Sequence, residues 1–262
     1  MEQLFLNLLF AHVVGDFYCQ TGRSCSNKRE LALKGKDLYI HAFIILMLSW
    51  LAVGTWSFWW AALALGVIHL AIDASKALFE SHFKMDGVAI YKTRYAVWPF
   101  VIDQMLHITV IAVVAAWWLH FNGDWNQFAW LETGWLVTAM AMLLCWKPAN
   151  LLTKHILGYC QVKVMSPTIE QTDGSDNAAQ DATADKKPNF KSGALIGTLE
   201  RWLIVFFMSI QEYEAIGFLI AAKSILRFSE TKESEKSEYV LAGTLVSIAI
   251  AVACGCLVLA II

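Results

Sequence analysis

The stretch WSFWWAALALGVIHLAIDASKAL (Trp56–Leu78) decides the fold. It opens on three tryptophans and continues through small and aliphatic residues as far as His69, with no charge before Asp73. As a helix it would be about 35 Å long at 1.5 Å per residue. That is enough to cross a hydrocarbon layer of about 30 Å. A surface helix of a soluble protein would show a charged face at helical spacing. None is present, so the stretch reads as a membrane span with its tryptophans at one interface and its charges near the other.

The rest of the chain repeats this pattern. Of its 262 residues 58% are hydrophobic and 16% charged, against roughly 25% charged in soluble domains. The mean hydropathy is +0.52. Apolar windows predict an all-α, polytopic transmembrane helical bundle of about eight spans. They run Gln3–Gln20, Leu38–Val53, Trp56–Leu78, Tyr95–Phe121, Thr133–Thr153, Ala194–Gln211, Ala215–Phe228 and Tyr239–Ile261. Little sequence remains for a large soluble domain. No basic patch with interleaved aromatics is laid out for nucleic acid.

Basic residues fall on alternate connections. Arg23, Lys28, Arg29, Lys34 and Lys36 separate the first two spans, and Lys76, Lys84, Lys92 and Arg94 the third and fourth. Lys147, Lys154, Lys163, Lys186, Lys187 and Lys191 follow the fifth, and Lys223, Arg227, Lys232 and Lys236 close the seventh. The intervening connections, Gly54–Thr55, Asn122–Glu132 and Glu212–Glu214, contain no Lys or Arg. The positive-inside rule then predicts basic loops in the cytoplasm and both termini outside. Trp56, Trp59, Trp60, Trp117, Trp118, Trp125, Trp130 and Trp135 gather at the opposite boundary, as an interfacial belt would.

Ser166–Lys187 is rich in Ser, Thr, Asp, Gln and Ala, too polar to fold on its own. It predicts a disordered cytoplasmic linker over 161–193, between a five-helix bundle (1–160) and a three-helix membrane segment (194–262). The six cysteines form no CxxC pair and read as small apolar residues. Met1-Glu2 lacks a basic n-region, so the first apolar run reads as a retained helix.

The chemistry lies in the ionisable side chains inside the spans, each costly in a bilayer and a functional candidate by default. Four spans carry His and Asp four residues apart: His12/Asp16, Asp37/His41, His69/Asp73 and Asp103/His107. On a helix such pairs share a face. In the inward-running spans His precedes Asp, and in the outward-running ones Asp precedes His. Every Asp is therefore nearer the cytoplasm, with every His about 6 Å deeper. Imidazoles and carboxylates facing a bundle interior are the ligands of Zn, Mn and Fe sites. His12, Asp16, His41, His69, Asp73, Asp103 and His107 are the candidate ligands for one or two divalent ions, and Asp16, Asp73 and Asp103 the candidate catalytic groups. The competing reading is a set of Asp–His hydrogen bonds tying helices together, and Asp37 fits a helix N-terminus equally well.

Further polar residues sit on the same side. Gln20 and Lys76 extend the stripes of the first and third spans, Lys147 and Asn150 share a face, and Glu200, Arg201 and Lys223 mark the inner ends of later spans. They predict a substrate-binding rim for an anionic group, against the alternative of snorkelling toward anionic lipid. His82, His120 and His155 have no acidic partner at this spacing and read as interfacial. Nucleophile-elbow, phosphate-loop and HExxH motifs are absent from the sequence.

LLFAHVVGDFYCQ (Leu8–Gln20), HLAIDASK (His69–Lys76) and DQMLH (Asp103–His107) occur in order. They resemble an uncharacterised family of bacterial and phage membrane proteins, the domain of unknown function 3307. Its pattern is AHxxGDFxxQ, a histidine in the second span, HxxxDxxK and DQxxH. Gly197–Ile204, Ala215–Phe228 and Glu238–Ser247 resemble the C-terminal extension of its longer members. The resemblance implies a membrane location, with a bacterial inner membrane expected, and carries no established activity. The HxxxD motifs are also similar to those of membrane-bound metal-dependent hydrolases, an analogy of motif only.

The leading expectation is a membrane-embedded metal-dependent hydrolase acting on a lipid or phosphorylated substrate from the cytoplasmic side. Its partners would be membrane lipids and a lipid or phosphorylated small molecule, with no nucleic acid. A divalent-metal or proton-coupled transporter would use the same His/Asp layer. A non-catalytic anchor or sensor for a soluble partner is the third alternative.

Overall fold

The computed structural model describes residues 2–85, 88–90, 93–122, 132–160, 190–230 and 234–261. They form helices α1 (Glu2–Phe17), α2 (Gly22–Leu31), α3 (Lys36–Val53), α4 (Trp59–His82), α5 (Val97–Asn122), α6 (Thr133–Leu144), α7 (Lys147–Tyr159), α8 (Phe190–Ser209), α9 (Tyr213–Glu230) and α10 (Ser234–Ile261). The exception to the helices and their short 3-10 turns is a two-residue antiparallel ladder, β1 (Lys84–Met85) with β2 (Val88–Ala89). The expected linker over 161–193 lies outside the described residues as far as 189, as do Trp125 and Trp130. Its last residues belong to α8.

Helix α1 is the hub, with core clusters on two faces. Leu4 and Leu8 pack with Val53 of α3, Ala61, Ala62 and Leu65 of α4, and Ile111, Ala115 and Trp118 of α5. Leu6 joins Leu136, Val137, Met140 and Ala141 of α6, Val205 of α8, and Cys254 and Val258 of α10. A third cluster, Ile204, Met208, Ile216 and Ala251, ties α8, α9 and α10 together. The helices on either side of 161–189 therefore share a core through α1 and α6.

The outer faces are as apolar as the interior. Phe43 is 62% exposed, Val67 58%, Ile102 56% and Val113 61%. A soluble protein does not spread such residues around its circumference; a bilayer solvates them. Four stretches are long and apolar enough to cross a membrane: Lys36–Val53, Trp56–His82, Arg94–Asn122 and Leu241–Ile261. The α6–α7 pair makes up to five if counted as one broken span. Apart from the short ladder, the described residues form a helical membrane protein.

The fifth expected span, Thr133–Thr153, is bent by 41° between α6 and α7. Pro148 at the start of α7 explains the break, because it has no N–H and its ring clashes with the carbonyl four residues back. Carbonyls near the break are met by side chains from other elements: Met142 O by Trp202 Nε1 (2.9 Å), Leu143 O by Tyr18 OH (2.7 Å) and Cys145 O by Arg201 Nε (2.6 Å). A broken helix at membrane depth needs such partners.

Small residues let α3 approach both neighbours. A Cβ on Gly15 would collide with the Ile45 side chain, and one on Gly66 would lie 2.9 Å from Leu46 Cβ. Where hydrophobic burial no longer drives association, such close packing holds helices together. Helix α2 was not expected. It is polar, packs beside α3 and α4, and turns part of the expected basic connection into an ordered cap.

Candidate functional site

The His/Asp pairs meet at one end of the α1/α3/α4/α5 bundle, where α1 and α4 finish and α3 and α5 begin. The i, i+4 spacing puts His12 and Asp16 on one face of α1, His69 and Asp73 on one face of α4, and Asp103 and His107 on one face of α5. His41 enters from the second turn of α3. His12, His41, His69, Asp103 and His107 are all buried. The four imidazole rings form a contiguous cluster, with centroids 4.9 Å apart for His41–His69, 4.1 Å for His69–His107 and 5.1 Å for His12–His107.

Three donor atoms converge most closely. His41 Nε2 lies 2.9 Å from His69 Nε2 and 3.1 Å from Asp16 Oδ1, and His69 Nε2 is 3.4 Å from the same oxygen. Tetrahedral zinc with bonds of about 2.0–2.1 Å spaces its ligand atoms about 3.3–3.4 Å apart. Asp73 Oδ2 is the next donor, 3.7 Å from His41 Nε2 and 3.9 Å from His69 Nε2. Asp16, His41 and His69 thus form one three-ligand group, and Asp73 groups instead with His69 and His107.

Cations sit on the loop side of this set. Lys28 Nζ donates to Asp73 Oδ2 (2.6 Å) and Lys76 Nζ to Asp103 Oδ2 (2.8 Å). Gln104 Nε2 bridges Asp16 Oδ2 (3.1 Å) and Asp103 Oδ2 (3.3 Å). These groups line an open cavity of about 140 Å³ that also touches Gln20, Glu80, Phe100 and His155. Its wall carries the carboxylates Asp16, Asp73, Asp103 and Glu80 against the ammonium groups of Lys28 and Lys76, a formal −2 with neutral imidazoles. A divalent cation would neutralise it.

A second, larger recess of about 760 Å³ lies between α4 and α5. Its walls are apolar: Val67, Ile68, Ala71, Ile72, Trp98, Ile102 and Leu106, with Phe79 and Tyr95. Lys76 and Asp103 line it as well as the polar cavity. The apolar recess and the charged site therefore meet at this ion pair.

Other expected rim residues lie elsewhere. Gln20 and Lys76 line the cavity, but Lys147 Nζ sits over the Tyr18 ring, 4.9 Å from its centroid. Glu200 pairs with Lys223. Arg201 is 3% exposed. It donates to Cys145 O, Ser247 Oγ (2.8 Å), Asn150 Oδ1 (2.6 Å) and Thr198 Oγ1 (3.2 Å). These residues sit around the α6–α7 break and where α8 packs against α9 and α10, and do not line the polar cavity. Asp37 accepts from Asn27 Nδ2 (2.8 Å), tying α3 to α2, which leaves His41 as that pair's member at the cluster.

Lys28, Gln104 and His155 are among the lining residues that the sequence reading did not assign to the site. Lys28 lies in a polar segment with no apolar periodicity to mark a helix. Gln104 is one residue from Asp103, so no i, i+4 stripe includes it. His155, read as interfacial, lines the cavity from α7 beside Phe100, with ring centroids 5.3 Å apart.

Residues 4–135 match the model of a family described as "Protein of unknown function (DUF3307)". The match contains every member of the His/Asp cluster. No curated protein and no solved structure matches the chain.

Proposed function

We propose that this chain, which belongs to the DUF3307 family, is a membrane-embedded metal-dependent hydrolase acting on a phosphate-bearing lipid from the cytoplasmic side. In this reading α1, α3, α4, α5, the broken α6–α7 pair, α8, α9 and α10 make eight crossings of a bacterial inner membrane. Both termini lie outside and the site end faces the cytoplasm, following the basic loops.

The observation that carries the proposal is the spacing of His41 Nε2, His69 Nε2 and Asp16 Oδ1, 2.9–3.4 Å apart, beside a cavity that holds two lysines. Asp73 Oδ2 lies beside the two histidines, 3.7–3.9 Å from their Nε2 atoms, and is paired with Lys28. A divalent Zn, Mn or Fe ion there would supply Lewis acidity, lowering the pKa of a coordinated water and polarising a phosphoryl oxygen. Lys28 and Lys76 hold the anionic group. Water adds to phosphorus, the bond to the leaving oxygen breaks, and the water's proton passes to Asp103 and on to that oxygen. Asp103 is the candidate for this task because it lines the cavity that holds both lysines. The apolar recess that shares Lys76 and Asp103 favours a lipid over a soluble phosphate ester.

Transport through the bundle is less well supported. Leu4, Leu8, Val53, Phe58 and Trp118, each at most 3% exposed, close the far half beyond the histidines. The test is direct: purified protein is analysed for metals, then incubated with a total bacterial lipid extract, and lipids are compared with those left by Asp73→Asn. The proposal expects at least one equivalent of Zn, Mn or Fe and wild-type-dependent loss of a phosphate-bearing lipid. Protein that is metal-free, cannot be reloaded and changes no lipid would overturn it.

A further inference from the structure

Next to His69 lies a small pocket of about 10 Å³, lined by His12, His69, His107 and Ser49 with Ile45, Leu65, Val110 and Ile111. Its volume suits one water or one ion. The polar atoms nearby are poorly satisfied. His12 Nε2 and His107 Nε2 are both buried with no hydrogen-bond partner, and each residue is only 3% exposed.

The tautomer of His107 is fixed by its surroundings. Its Nδ1 lies 2.9 Å from the Asp103 carbonyl oxygen, which can only accept, so Nδ1 carries the proton. Nε2 is left as a bare lone pair. A carbonyl holding one ring nitrogen so that the other can bind metal is the usual outer-shell arrangement of ligating histidines. The third group is Asp16. Its Oδ1 faces His41 and His69, while Oδ2 lies 3.7 Å from His12 Nε2. Ligand atoms of His12, Asp16 and His107 lie within 4.8 Å of one another, a spread that small side-chain rotations would close.

We infer that His12, His107 and Asp16 Oδ2 bind a second divalent ion, with Asp16 as the carboxylate bridging the two ions. This rests on the first ion proposed above and deepens that reading. The pocket supplies the imidazole nitrogens of His12 and His107, and Asp16, which lines the neighbouring polar cavity, supplies the carboxylate oxygen within reach of both. The second ion makes the centre dinuclear, the form in which two ions stabilise the attacking and leaving oxygens of a phosphoryl transfer.

The experiment reloads metal-free protein with zinc alone and measures zinc per chain. Wild type should bind two equivalents, while His107→Gln and His12→Gln should each bind one, as should His41→Gln at the other half of the site. X-ray absorption of fully loaded wild type should show zinc–zinc scattering at about 3.5–4 Å; this needs no variant to fold. One equivalent in wild type, retained by His107→Gln and lost in His41→Gln, would overturn the second site and leave the first intact, with water in the pocket. No zinc in wild type would overturn both.

Discussion

The Nε2 atoms of His41 and His69 are 2.9 Å apart, although α3 and α4 bring them from positions 28 residues apart in the chain. Two imidazole nitrogens at that distance must share either a proton or a cation, because two facing lone pairs repel. Asp16 Oδ1, 3.1 Å from one and 3.4 Å from the other, adds a negative charge on the same side. Lys28 and Lys76 do not fill that role, since each is paired with a different carboxylate, Asp73 or Asp103. On the proposed reading, the point enclosed by the three atoms is where the ion would sit.

Replacing His41 with Ala should therefore remove a bound metal equivalent and lower hydrolysis at least about 100-fold, since even outer-shell partners are worth 10–100-fold. His120→Ala, at the far end of α5, should leave both unchanged. The measurements are metal content and initial rate on the same preparations. Equal metal in wild type and His41→Ala would refute the assignment.

The close approach of α1 and α3 makes a second prediction. Gly15 lies between His12 and Asp16 in sequence, and a side chain there would meet Ile45. Gly15→Ala should cost about 1–3 kcal/mol of stability by overpacking and push His41 away from Asp16, lowering metal content. Adding Ile45→Ala should recover part of both losses. A thermal-unfolding double-mutant cycle reads the coupling, and strict additivity would argue against the contact.

The helical bundle was legible in the sequence because its signals are local: apolar length, interfacial tryptophan and i, i+4 pairs. The convergence of three pairs and His41 followed from matched polarity along antiparallel helices, which periodicity alone provides. Lys28 was not legible as a site residue, because a polar helix over the site end has no apolar stripe. Pro148 was visible in the sequence, yet the break depends on Tyr18, Arg201 and Trp202 arriving from distant segments. The same tertiary event draws Asn150 and Arg201 into a structural network, where sequence could only register polar residues near span ends.

Arg201 consequently makes a prediction of its own. Its guanidinium meets the Cys145 carbonyl at the helix break and also holds Asn150 and Ser247. Arg201→Met should leave those buried groups unsatisfied and cost on the order of 3 kcal/mol, with metal content per folded chain unchanged. Unfolding temperature and metal analysis separate this from a substrate-binding role. A variant with normal stability and raised KM would favour the anion rim instead.

Sidedness is tested by reporter fusions. The basic loops predict a cytoplasmic reading after Lys84 and an external one after Gly54 and Ile262. An external Lys84 fusion would place the cavity on the opposite face and remove cytoplasmic substrates from consideration. A cytoplasmic Ile262 alone would remove one crossing from the α8–α10 segment and leave the site where it is.

The recess between α4 and α5 makes the substrate's hydrophobic part testable apart from its headgroup. Val67, Ile102 and Leu106 line the recess and are also strongly exposed on the lipid-facing side, so a chain can enter sideways from the bilayer. At its inner limit Lys76 pairs with Asp103 at 2.8 Å, which places an ammonium group where, on the proposed reading, a chain would meet its headgroup. Ala71 lines the recess and is not a member of the His/Asp cluster. Ala71→Trp should fill much of the space and slow hydrolysis of a long-chain phospholipid about tenfold or more, while metal content stays at the wild-type level. A short-chain, water-soluble analogue with the same headgroup should be turned over at the wild-type rate by the same variant, because it does not need the recess. Equal slowing of both substrates would point to a distorted metal site. Equal wild-type rates on both would mean that the recess takes no part in substrate binding.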